Sequence, residues 1–363
     1  MSNPDVPSKI QALVTQGNGE AKVKEIKFDA TKLEAHEVLI KVQTVGLNPT
    51  DWKSVNMTKR SNVVVGCDAA GDVVAVGSDY TSKFKVGDRV AGFTAGCSQD
   101  HNGAFAEYVR LDSVSLFRLP KEMSYEEGAS LPIPHLTAVQ SLYVRLGLPT
   151  PLQHAQSRAS PGTILIWGGS SATGHHAIQL ARLSGLQVIA TASPQAFTEL
   201  ENIGASFVFD YKDEDVVNKI RKAAGEPGVQ FVLDTISEKG TTEKAIDAVG
   251  PKGGKVVHLL PVGDEIRNRR ADVQVIHTLL YQLIGPMWSF PFLPDDQPPV
   301  RSYLEHDWVH LTKGWRNGLG AGSLKPQRIR KLEPGFDGIL AGMKQMREGS
   351  YGREKLVGFV RKQ

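Results

Sequence analysis

Cysteine is almost missing from this chain of 363 residues: only Cys67 and Cys97 occur. Two thiols can build neither a disulfide framework nor a four-cysteine zinc lobe, so a stapled secreted scaffold is excluded and a reducing, cytoplasmic setting is expected. Long apolar runs are missing too. None approaches the roughly 18 residues that a membrane-spanning helix needs, and "MSNPDVPSKIQ" at the start has no signal-peptide core, so no membrane association is expected. Charge of one sign is scarce: 42 Lys and Arg against 39 Asp and Glu leave a net charge of +3. The basic residues form no stripe interleaved with aromatics, which removes the electrostatic footprint of a nucleic-acid binder.

What remains is the composition of a soluble enzyme, 40% hydrophobic and 22% charged, with 36 glycines announcing many turns. At about 150 residues per domain the length points to about two domains, each able to bury its own core. In the N-terminal third, short β-type runs such as "EVLIKVQTVGLN", "AAGDVVAVGSD", "KVGDRVAGF" and "GAFAEYVRLD" alternate and break at Gly, Asp and Asn, which predicts a compact antiparallel or barrel-like unit. From residue 163 the rhythm changes. Apolar strands are predicted at "TILIW", "QVIATA", "FVFD", "QFVLDT" and "KVVHLL", with helices between them over 172–184, 195–203, 213–224 and 238–249. Strands this apolar, separated by helices, belong to a parallel sheet covered on both faces. The fold class is therefore α/β, a β-rich domain joined to a doubly wound one. The run "GLPTPLQHAQSRASPG" (147–162) reads as a surface loop, and "LIGPMWSFPFLPDDQPPV" (283–300), with five prolines, as an apolar pocket wall or an interface segment. No internal repeat is present.

The stretch "TILIWGGSSATGHHA" (163–177) runs from strand through a small-residue turn into a helix. Backbone N–H groups at such a helix start, aided by the helix dipole, receive an anion. Gly168, Gly169 and Gly174 suit close approach of a pyrophosphate, with Ser171 where a middle glycine is usual. His175 and His176 are neighbours and point about 100° apart on a helix, so they read as surface or packing residues rather than a metal pair. Cys97 and His101 lie in a turn-rich loop with no further ligands nearby. At the end of the second strand, "ATASPQAF" (190–197) lacks the Asp or Glu that binds ribose hydroxyls in NAD enzymes. Ser193 can donate to a 2′-phosphate, which favours NADPH, and Tyr211 is a further candidate contact.

Taken together, "NPTDWK" (48–53), "VGCDAAGDVVAVGSD" (65–79), "VGDRVAGF" (86–93), "GAFAEYVRLD" (103–112), "LPIPHLTA" (131–138) and the glycine turn resemble the medium-chain dehydrogenase/reductase superfamily over nearly the whole chain. "GGSSAT", "ATASPQAF", "VFDY" and "GREKLVGFVR" narrow the likeness to its zinc-free quinone oxidoreductase and enoyl reductase branch, most of all to fungal trans-acting polyketide enoyl reductases. The resemblance implies a GroES-like catalytic domain (1–136 and 302–363), a Rossmann NADPH-binding domain (137–301) and an active site in the cleft between them. It implies NADPH contacts at Pro49, Thr50, Asp51 and Trp52, at Ser170, Ser171, Ala172 and Thr173, at Ser193, Pro194, Gln195 and Ala196, and at Tyr211, Leu259, Leu260, Val357 and Gly358. Substrate would lie along Pro134, His135, Leu136, Thr137, Ala138, Val139, Gln140 and Ser141 and along the apolar stretch near 278–292. There Leu283, Met287, Trp288, Phe290 and Phe292 would suit a long acyl chain. Where alcohol dehydrogenases of the superfamily need Cys and a His-Glu pair for zinc, this chain has Asn48 and "GCD" (66–68), so no metal is expected.

Without zinc, a nicotinamide hydride can add to an alkene conjugated to a carbonyl, because the charge can then rest on an enolate oxygen. Lys53 is the candidate donor near that oxygen, and Thr137 matches the superfamily position that touches cofactor and substrate. The leading expectation is an NADPH-dependent enoyl reductase acting on an α,β-unsaturated thioester. Its partner would be the acyl-carrier domain of a polyketide synthase. A stand-alone quinone or alkenal reductase and a non-catalytic NADPH-binding protein are the alternatives. Prolines over 291–299 cannot donate to an edge-strand ladder, which points to a monomer.

Overall fold

The computed structural model describes residues 6–98, 102–157, 161–284, 324–325 and 327–361. The N-terminal alternation becomes strands β1 (Lys9–Gln16), β2 (Ala21–Lys27), β3 (Glu37–Gly46), β4 (Ser61–Val64), β5 (Asp68–Val76), β6 (Arg89–Phe93), β7 (Tyr108–Asp112) and β8 (Phe117–Arg118). Helix α1 (Pro49–Met57) lies between β3 and β4, and α2 (Tyr125–Ser130) follows β8. All pairings among these strands are antiparallel: β2-β1-β4 form a small sheet, and β3 pairs with both β5 and β7. Leu13, Ile40, Val65, Phe105 and Leu111 are fully buried in one core here, each side chain contributing about 1.5–3 kcal/mol by leaving water.

Helix α3 (Pro132–Val139) runs into a π-helical turn at Gln140–Arg145 and is followed by α4 (Pro151–Ser157). The surface loop expected over 147–162 is thus a partial misreading. Thr150 N donates to Gln153 Oε1 at 2.8 Å, and Gln153 N donates back to Thr150 Oγ1 at 3.4 Å. That reciprocal cap, with proline at the first helical position, starts a helix inside a stretch whose composition reads as loop.

Beyond it come β9 (Thr163–Trp167), α5 (Ala172–Leu183), β10 (Gln187–Ala192), α6 (Phe197–Asn202), β11 (Phe207–Asp210), α7 (Val216–Ala224), β12 (Phe231–Asp234), α8 (Thr241–Ala248), β13 (Gly254–His258), α9 (Asp264–Arg267) and β14 (Val273–His277). Every pairing in this sheet is parallel, in the order β11-β10-β9-β12-β13-β14. The chain starts in the middle and reverses direction between β9 and β12, the doubly wound arrangement that leaves a crevice at the carboxyl ends of the central strands. All five residues of β9 are buried, as a strand covered on both faces requires.

The C-terminal stretch adds β15 (Ile329–Lys331), α10 (Phe336–Arg347) and β16 (Lys355–Phe359), and β16 pairs antiparallel with β3. Both chain ends therefore build the β-rich unit. Among the described residues that unit comprises 6–133, 281–284 and 327–361, and the parallel-sheet unit comprises 134–280 and 324–325. No helix among the described residues is long and apolar enough to cross a membrane.

Candidate functional site

In the parallel-sheet unit the candidate site is the turn after β9. Gly168 has φ +81 and Gly174 packs its backbone on the turn, where an added Cβ would come within 2.3 Å of the Gly168 carbonyl oxygen. Ser171 caps α5, its hydroxyl accepting from Gly174 N at 2.9 Å, and lies 2.8 Å from Thr235 Oγ1. Thr235 in turn donates to the carbonyls of Trp167 and Gly168 at 2.9 and 3.0 Å. The cap engages Gly174, while the N–H groups of Ala172 and Thr173, in the first turn, have no partner within the helix. Ser170, Ser171, Ala172 and Thr173 are half-buried, so the turn is open to a ligand.

Around it, Ser193 follows β10 half-buried, Pro194 and Gln195 are exposed and Ala196 is buried. Tyr211, after β11, is exposed, with the Lys212 ammonium 5.8 Å from its ring centre. Leu259 and Leu260 follow β13 half-buried; Leu259 N donates to Ser237 Oγ at 2.8 Å, and His258 Nδ1 lies 2.7 Å from the Leu260 carbonyl. These residues all belong to the carboxyl ends of the parallel strands. Thr235 is the member that the sequence reading missed; its only signal is its place directly after β12.

His175 and His176 are both buried in α5. His175 hydrogen-bonds the Lys325 carbonyl at 2.9 Å, and the His176 ring packs edge-on against His135 with centres 5.3 Å apart. They pack, as the sequence suggested. Burial pushes the His135 imidazole down to about 4, so it is neutral at ordinary pH. Pro134, Leu136, Thr137, Ala138, Val139, Gln140 and Ser141 are buried with it. Ser141 Oγ donates to the Thr137 carbonyl at 2.7 Å, and Gln140 Oε1 accepts from Thr278 Oγ1 at 2.8 Å.

In the β-rich unit, α1 carries the other predicted residues. Pro49 is exposed, and Thr50, Trp52 and Lys53 are half-buried, with the Lys53 ammonium 5.7 Å from the Trp52 ring centre. Asp51 is turned inward: 1% exposed, its Oδ2 accepts from Asn48 N at 2.6 Å. Val357 and Gly358 lie in β16, in register with Gly46 and Val45 of β3 just ahead of α1.

Beneath α1 lies a buried polar cluster that the sequence reading did not assemble. Asn48 Nδ2 donates to Asp68 Oδ2 at 2.8 Å, and Lys355 Nζ donates to Asn48 Oδ1 at 2.5 Å and lies 3.4 Å from Asp68 Oδ2. Asp68 Oδ1 accepts from Ile133 N at 3.0 Å. Tyr281 OH lies 2.5 Å from Thr50 Oγ1 and 3.5 Å from Cys67 Sγ. Burial pushes the Asp51 carboxyl up to about 7 and that of Asp68 up to about 6, the latter opposed by the Lys355 ammonium. Burial likewise raises the Cys67 thiol and the Tyr281 phenol and lowers the Lys355 ammonium. Met287, Trp288, Phe290 and Phe292, and His101, lie outside the described residues, whereas Leu283 is fully buried.

Two family models match the chain: the alcohol dehydrogenase GroES-like domain over residues 34–121 and the zinc-binding dehydrogenase over residues 172–270. A trans-enoyl reductase of Alternaria alternata is 36% identical over 355 residues, covering 96% of this chain and 98% of that protein. One of Aspergillus sclerotiorum is 34% identical over 363 residues, covering 96% and 99%. Among solved structures, the CurK enoyl reductase superposes with a TM-score of 0.75 at 22% identity, covering 97% of this chain and 99% of its own.

Proposed function

Because this chain belongs to the medium-chain dehydrogenase/reductase superfamily and sides within it with the trans-enoyl reductases, we propose that it is an NADPH-dependent enoyl reductase. Its substrate in this reading is an α,β-unsaturated thioester held on the acyl-carrier domain of a polyketide synthase. The superfamily and its doubly wound sheet imply a nicotinamide cofactor. The observation that carries the reading is the turn after β9, where a Cβ on Gly168, Gly169 or Gly174 would come within 3.0 Å of neighbouring atoms, beside a second strand that ends in Ser193 without a carboxylate. Ser170, Ser171, Ala172 and Thr173 would hold the pyrophosphate, and Ser193, with Tyr211, the 2′-phosphate.

When bound, the reduced nicotinamide supplies a hydride to the β-carbon of a conjugated double bond. Lys53 then steadies the enolate oxygen with its positive charge, and the Thr137 hydroxyl orients the reacting groups, while a proton reaches the α-carbon. Zinc does not fit beside α1. It needs deprotonated sulfur, imidazole or carboxylate ligands, and here the Asn48 amide stands beside an Asp68 carboxylate whose charge the Lys355 ammonium already meets. In this reading the reaction needs no metal, and the protein acts as a monomer.

The test is consumption of NADPH and NADH measured in parallel on an enoyl thioester, an alkenal, a quinone and a ketone. Fastest turnover on the thioester with NADPH is expected. Equal turnover on the quinone or alkenal would replace this reading by a stand-alone double-bond reductase, and no turnover on any of them would leave an NADPH-binding protein.

A further inference from the structure

A lysine at the bottom of a core is costly unless its charge is matched, because the ammonium loses its water. Lys355 is in that position: its side chain is 3% exposed and that of Asp68 is 0% exposed. Three segments far apart in the chain meet there. Asn48 precedes α1, Asp68 begins β5 and Lys355 begins β16. The Asn48 amide is used at both ends, its Oδ1 accepting from Lys355 and its Nδ2 donating to Asp68, so its orientation is set from two sides. Asn48 is also the residue from which α1 starts, and Asp51 inside that first turn bonds its N–H.

We propose that Lys355 is a positioning residue whose ammonium takes the part a metal cation would play, tying Asn48 to Asp68 and thereby holding the helix that carries Thr50 and Lys53. A cation supplied by the chain needs no loading and presents its donors at one place. A metal bound beside it would bring two cations to one carboxylate. The clamp stands on the geometry alone; its effect on turnover rests on the enoyl-reductase reading.

Lys355→Met keeps the length of the side chain and removes the charge. Amide hydrogen exchange along α1 should speed up by about tenfold or more relative to the β13 amides of the parallel-sheet unit. The neutral double variant Asp68→Asn/Lys355→Met should recover part of that protection, and it carries the measurement if the single variant does not fold. In turnover assays, kcat should fall by about tenfold or more, a larger factor than any rise in the NADPH Kd. Unchanged α1 exchange in Lys355→Met would overturn the clamp, as would exchange raised evenly through the β-rich unit, which marks a merely structural pair. So would stoichiometric zinc in the wild type that is lost in Cys67→Ser. Faster α1 exchange in a protein whose wild type reduces no enoyl thioester would uphold the clamp and sink the enoyl-reductase reading.

Discussion

The two helices that carry candidate site residues, α5 and α1, begin in opposite ways. At α5 the first turn is half-buried, a serine caps one N–H, and the neighbouring N–H groups are left for a ligand. At α1 the first turn is closed by its own side chains: Asp51 bonds Asn48, and Asn48 is gripped by Asp68 and Lys355. A helix start left open can receive an anion, whereas one whose groups are taken by its own side chains is less available to one. The open turn suits cofactor exchange, and the closed one suits a side chain that has to be held still.

The widest separation between the two should come from removing one charge of the closed cluster. Asp68→Ala leaves the Lys355 ammonium buried without its carboxylate and should cost about 3–5 kcal/mol in urea unfolding. A loss below about 1 kcal/mol would mean that water reaches the cluster and that the contrast with α5 is overstated. Next in size is Lys53→Ala on the same helix, which should lower turnover about a hundredfold, the scale of one positioned acid or charge. NADPH affinity, which the proposed function assigns to the open turn, should hardly move; parallel losses of both would show that the two helix starts do not divide the work.

The doubly wound half was legible because its physics is local. A strand buried on both faces must be apolar throughout, and "TILIW" and "QVIATA" end where β9 and β10 end, as does "FVFD" in the half-exposed edge strand β11. The glycine turn was legible because Gly168 answers to its own φ of +81 and Gly174 to the backbone of Gly168 and Gly169 just before it. Helix α4 was missed since composition outweighed the Thr150 and Gln153 cap, a signal that was present in "TPLQ". The closed cluster was invisible for another reason. Lys355 and Asp68 are 287 positions apart, and Asn48 and "GCD" could be read only as ligands that zinc would lack. What such residues do instead depends on which distant side chain is folded onto them.

A pH series probes the closed start without touching its packing. Burial lifts the Asp51 carboxyl from 3.8 to about 7 in the folded chain, so between those values the folded state holds a proton that the unfolded state has released. Stability from this group is therefore fully present below the unfolded value and is lost as pH rises to about 7, at no more than about 1.4 kcal/mol per pH unit for one proton. Asp51→Asn should lessen the slope of unfolding free energy across that window and flatten it above about pH 6, below which Asp68, raised to about 6, keeps a slope of its own. A wild-type curve that is already flat there would place a solvated carboxylate at Asp51, not a buried one.

The smallest effect belongs to the open start. Ser171 supplies one cap bond to Gly174 and one contact to Thr235, so Ser171→Ala should cost about 1 kcal/mol of stability and Ser171→Gly only a few tenths. The two variants separate the roles of hydroxyl and backbone. If the cap matters only for folding, glycine restores stability and NADPH affinity together. If the hydroxyl also orients the turn through Thr235, glycine restores stability but leaves NADPH affinity low, and Thr235→Val should reproduce that loss. Equal NADPH affinity in all three variants would show that the backbone alone makes the cradle, with Ser171 tolerated there only because it is small.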